Sequence, residues 1–160
     1  MEDTLQFIIF PALGALFGAG FVFLARWSGL KVRQILAYGL IAACFVYVAL
    51  SGRSDNPAVW LGFEMTGVAI FGSAALLSMI GSLWWLAAGF ALHPVWVIVF
   101  HYVGAGSAFV PKEYSLANAA FDLTLAAYLI YEILRGPRSA IAASVLEQGS
   151  PVKSGKRRQK

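Results

Sequence analysis

The sequence predicts an all-α, polytopic integral membrane bundle of five transmembrane helices, and three observations lead there. Hydrophobic residues make up 59% of the chain and charged residues 12%, against about 25% charged in a soluble domain. There is too little polar material to coat a water-facing surface. Five apolar runs each approach the roughly 20 residues a helix needs to cross the hydrocarbon. The links between them are too short to hold a soluble domain. β-branched residues are scattered among Ala, Leu and Phe without turn signals at strand-length intervals, which speaks against a membrane barrel.

The first span covers about 5–25. The preceding "MEDTLQF" is acidic and lacks the basic start of a secretory signal, so this run is expected to stay in the mature protein. Within it "GALFG" at 14–18, followed by Gly20, is a small-xxx-small pattern suited to close packing on a neighbouring helix. "RWSGLKVR" leads to the shortest span, about 33–50, which starts near Lys31, whose long side chain can snorkel. Cys44 lies inside this run and, as the single cysteine, excludes an internal disulfide. "SGRSDNPA" leads to the third span, about 59–80, and "IGSL" makes a hairpin into the fourth, about 83–103. "AGSAFVPKEYS" precedes the fifth, about 116–134. Gly136 and Pro137 are expected to stop that helix. The chain thus divides into a five-helix domain, 1–136, and a basic tail, 137–160. In the tail Ile141, Val145 and Leu146 suit a short amphipathic segment on the membrane. Its last eight residues hold five basic side chains, which anionic lipid attracts.

Lys and Arg set the direction of insertion. One side receives Arg26, Lys31, Arg33, Arg135, Arg138 and the five basic residues of the tail end, while the other receives Arg53 and Lys112. The N-terminus is therefore expected outside and the C-terminus in the cytoplasm. Trp27, Trp84 and Trp85 then fall at the inner interface, and Trp60, Tyr102 and Tyr114 at the outer one. The net charge of +4 comes mostly from the tail, so nothing points to nucleic acid; membrane lipid is the expected partner.

Four ionisable residues lie inside the spans. Glu64 is about five residues into the third, Asp122 about six into the fifth, and His101 near the end of the fourth. All three depths are counted from the outer side, so the three residues are expected to share one layer. His93 lies eight residues lower, about 12 Å along a helix. Ionisable groups at such depth cost several kcal/mol and face a bundle interior or a wet cavity. Glu64, His93, His101 and Asp122 are therefore expected to converge on one cavity open to the outer side, with Trp96, Tyr102 and Asn118 as lining. Glu64, His101 and Asp122 are donors suited to a divalent metal, zinc or iron. The same groups suit acid–base work or a proton relay. The structural alternative is a His101–Asp122 pair, a protonated, hydrogen-bonded Glu64 and a neutral buried His93. Haem is disfavoured because both histidines sit on one helix, although Met65 and Met79 are near. Among the softer polar residues, Glu132 is expected to meet Arg135. Tyr38, Tyr47, Tyr128 and Tyr131 suit bonds between helices or the interface, and Thr66, Ser73, Ser78 and Thr124 read as helix glue.

"WWLAAGFALHPVWVIVFHYVG", "FVPKEYSLANAAFDLTLAAYLIY" and "FEMTGVAIFG" resemble a family of small bacterial multi-pass membrane proteins, the domain-of-unknown-function family numbered six thousand and ten. The resemblance spans about residues 5–135. It implies a bacterial cytoplasmic membrane location and a shared polar set at Glu64, His93, His101 and Asp122, but no activity. The family-like pattern has Asp after Trp96 where this chain has Val97, so a function resting on that carboxylate would be altered here. Three classes of function remain open. The first is a membrane protein binding a metal or a small apolar, lipid-like ligand, enzymatic or not. The second is a structural or accessory subunit of a membrane complex. The third is a proton-coupled transporter, which with five spans would need copies to assemble.

Overall fold

A computed structural model describes residues 2–148, with side chains from 5 to 136. Its helices are α1 (Glu2–Trp27), α2 (Val32–Ser51), α3 (Pro57–Ile80), α4 (Trp84–Val97) and α5 (Lys112–Gln148). A π-helical turn, Ile98–Val103, prolongs α4, and a 3-10 turn, Ala105–Ala108, follows it. Among the described residues five stretches are long and apolar enough to cross a membrane: Leu5–Trp27, Val32–Ser51, Pro57–Ile80, Trp84–Val103 and Lys112–Gly136.

The breaks have local causes. Gly29 adopts φ +69, a conformation open to glycine, and turns the chain between α1 and α2. Pro57 takes the first turn of α3, where its missing N–H costs nothing. The α3–α4 hairpin is tied to α2, because the Arg33 guanidinium donates to the Gly81 carbonyl. Two expected boundaries need correction. The fifth helix starts at Lys112 rather than near 116, and it does not stop at Gly136 and Pro137 but runs on to Gln148. A proline removes one backbone bond, and the Ala-rich stretch beyond it favours helix. The amphipathic placement of Ile141, Val145 and Leu146 and the basic end at 153–160 lie outside the described residues.

Helices α2 to α5 form the bundle, and α1 lies outside it against α5. An odd number of short-linked crossings separates α1 from α5, so the two run parallel. Their contacts keep one register: Gly14 at Ala117, Gly18 at Phe121 and Thr124, Arg26 at Glu132. A Cβ on Gly14 would enter the Ala117 backbone, so the small-xxx-small pattern serves packing within the chain. Gly14→Val should therefore loosen α1 and cost about 1–3 kcal/mol. Gly20→Val should cost nothing measurable, since nothing lies within 4 Å of a Cβ there. Unfolding midpoints in mild detergent check the pair.

The interior has two parts. One is purely apolar and centres on Leu36, Leu40, Leu86, Phe90, Leu125 and Leu129. The smaller part, Tyr47, Val97, Phe109 and Val110, lies toward the end of the bundle that holds the 52–56 link. The two histidines lie between them, against Phe71 of the first part and Tyr47 and Phe109 of the second.

Candidate functional site

His93 lies in α4 and His101 in the π turn that prolongs it. In a regular α-helix each fourth residue lies about 40° further round, so 93, 97 and 101 would drift across the helix face. The wider π turn from Ile98 to Val103 changes that spacing, and both imidazoles meet the Tyr47 ring. Gly104 ends the turn, and Gly106 then lies directly against the His101 ring, where any Cβ would collide with Nδ1.

The four ionisable residues form two pairs. In the first, His93 Nδ1–H donates to Asp122 Oδ2 at 2.7 Å, and Asn118 Nδ2–H donates to the same oxygen at 3.1 Å. In the second, His101 Nε2 lies 3.3 Å from Glu64 Oε1. That contact has the distance of an ion pair without hydrogen-bond alignment, and neither atom has another partner. Exposure is 2% for Glu64, 1% for His93 and 0% for His101 and Asp122.

Tyr47 of α2 stands between the pairs. Its ring stacks on His101 with centroids 4.5 Å apart and meets the His93 ring edge-on at 6.0 Å. Its hydroxyl lies beside Ser115 without a hydrogen bond of good geometry. Phe71 closes the far side of His93 at 4.8 Å. Trp60 and Phe109 cover His101, each with its ring centroid 6.1 Å away. Val97 is fully buried against this aromatic group. Val97 serves packing here, and neither histidine–carboxylate pair involves it.

Most side chains here lack partners for some of their polar atoms. Six buried side-chain polar atoms among the described residues have no hydrogen-bond partner, and five of them belong to this group. They are Tyr47 Oη, Glu64 Oε1, His101 Nδ1, His101 Nε2 and Asp122 Oδ1. Unpaired buried polar atoms are rare and each costs about 1–3 kcal/mol.

Several expectations change. The expected trio divides, with Glu64 on His101 and Asp122 on His93. The cause is the early start of α5. Asp122 lies ten residues in from Lys112, about 15 Å, and Glu64 seven residues in from Pro57, about 10 Å. Asp122 therefore reaches the deeper histidine, and no His101–Asp122 pair forms. Among the described residues no group of three or more His, Cys, Asp or Glu side chains is arranged to hold a metal ion. The expected open cavity is instead a closed site, covered by Trp60 and Phe109. Of the three expected lining residues only Asn118 reaches it. Trp96 stacks on Phe63 at 4.8 Å, and Tyr102 faces Phe7 and Lys112.

Elsewhere, Glu132 accepts from Arg26 of α1 at 3.3 Å, while Arg135 donates to Tyr131. Thr66, Ser78 and Thr124 bond to carbonyls of their own helices instead of joining helices. Sequence reasoning did not single out Tyr47. The signal was present, since Leu36, Leu40, Cys44, Tyr47 and Ser51 make one buried face of α2 at helical spacing.

No family model, curated protein or solved structure matches this chain, so the site is read from its own geometry.

Proposed function

We propose that this small all-helical membrane protein handles protons inside the bilayer, with Glu64–His101 and His93–Asp122 as two acid–base stations on either side of Tyr47. The observation that carries this reading is the burial of two histidine–carboxylate pairs, His93–Asp122 at 2.7 Å and His101–Glu64 at 3.3 Å, with both imidazoles against one tyrosine ring. Imidazole and carboxylate are the side chains suited to exchanging protons near neutral pH, and buried chains of them mark proton pathways in membranes. The division of Glu64, His101 and Asp122 between two pairs favours acid–base work over a shared metal ion.

The Lys and Arg bias supports an N-terminus outside and a C-terminus in the cytoplasm, in a bacterial cytoplasmic membrane. That orientation puts Glu64–His101 toward the outer half of the bilayer and His93–Asp122 nearer its middle. Lys112 should then be labelled by an impermeant amine reagent on intact cells; labelling only after permeabilisation would reverse the orientation. The exposed apolar side of α1 suits lipid or a second copy of the chain.

Infrared difference spectra of the protein in lipid nanodiscs, recorded across a pH step, test the function. The expected result is that carboxyl and imidazole bands change together. Asp122→Asn and Glu64→Gln should each remove one carboxyl band. Bands that stay constant across the pH range, or that change independently of one another, would leave a structural group only.

A further inference from the structure

Glu64 and His101 are fully enclosed, so a proton-handling role needs a way in from water. The cavities along the bundle sides differ in character. One, about 470 Å³ between α1, α2 and α5, is walled by Phe17, Phe21, Ala42, Ala43 and Val46 and is almost wholly apolar. At the end of the bundle that holds the 52–56 link there is instead a vestibule of about 300 Å³, with Arg53, Asp55 and Asn56 at its rim and Trp60 and Phe109 at its base. Those two rings meet edge to face at 4.8 Å, and both lie on His101. Directly behind them is the His101 ring, whose Nε2 lies 3.3 Å from Glu64 Oε1.

We propose that this vestibule is the site where water and hydronium reach the Glu64–His101 pair, with Trp60 and Phe109 as the floor that opens to admit them. The proposal rests on the acid–base reading above and names where that site exchanges with solvent. Phe109 lies in the irregular stretch between the π turn and α5, beside the 3-10 turn, so its ring can move without unwinding a membrane-spanning helix. Trp60 is on the first turn of α3. The titratable groups around His101 are Glu64 from α3 and Tyr47 from α2, with Tyr114 and Asp122 of α5 and His93 of α4 beyond Tyr47. The 3-10 turn contributes none, and Arg53 and Asp55 stand at the rim. A proton arriving from water would be taken up at a His101 ring nitrogen and shared with Glu64 Oε1, 3.3 Å from Nε2.

The test uses the full chain in nanodiscs with ¹⁵N-labelled histidine, and reads exchange of each ring N–H with water by NMR. Trp60→Ala should speed exchange at His101 at least tenfold and leave His93 within twofold. Asn56→Cys, made in a Cys44→Ser background and modified with a bulky impermeant maleimide, should slow exchange at His101 instead. This second variant keeps the floor intact and so covers the case in which Trp60→Ala fails to fold. Unchanged exchange at His101 in both variants would overturn the proposal, as would equal acceleration at both histidines. If the infrared bands respond to pH together while exchange ignores both variants, the acid–base reading stands and this entrance fails. If exchange responds while the bands do not, the entrance stands and the acid–base reading fails.

Discussion

Asp122→Leu should lower the unfolding free energy of the bundle by about 3 kcal/mol, and adding His93→Leu should recover most of that loss. The single substitution leaves the His93 N–H and the Asn118 amide without their acceptor in an enclosed place. Once both partners are apolar, only Asn118 remains to be satisfied. Replacing a whole buried polar pair by packing is often close to neutral, whereas removing one member is not. Residues in direct contact should also depart from additivity by more than about 0.5 kcal/mol. Chemical unfolding in mild detergent measures the cycle. Two additive losses would mean that the residues do not act as a unit. The proposed activity should be absent from both variants, including the stable double one.

Tyr47→Phe should give the opposite separation. The ring that stacks on His101 and meets His93 is kept, and the hydroxyl it loses has no hydrogen-bond partner. Stability should stay level or rise by about 1 kcal/mol. If the hydroxyl passes protons between the two pairs, the infrared bands of Glu64 and Asp122 should then respond to pH independently. Tyr47→Ala should instead cost about 3–5 kcal/mol, as deletion of a buried ring does, because it removes packing from Val97, Phe109 and both imidazoles. A Tyr47→Phe protein that loses stability and keeps coupled bands would make Tyr47 a packing residue and nothing more.

The spans were legible because bilayer thickness and hydropathy set them almost directly. The errors begin where polar residues enter a helix. "KEYS" reads as a link, yet Pro111 stands just before Lys112, and Glu113 in the first turn suits the positive end of the helix dipole. Those signals start α5 early. They move Asp122 one turn deeper than expected, and that one turn exchanges its partner from His101 to His93. The π turn has no periodic signature in "IVFHYV", and hydropathy does not mark it. The parallel contact of α1 with α5 was hidden for the same reason. Neighbours in sequence are good guesses for neighbours in space, and this pair lies at opposite ends of the chain. Arg26 of α1 therefore reaches Glu132 of α5.

The chain contains two histidines, so ¹⁵N-histidine NMR in nanodiscs tests the central pairing without crowding. Asp122→Asn should chiefly move the His93 ring resonances, and Glu64→Gln chiefly those of His101. The contradicting result is an Asp122→Asn spectrum in which His101 shifts and His93 does not, because that would restore a His101–Asp122 contact and dissolve the two-station arrangement.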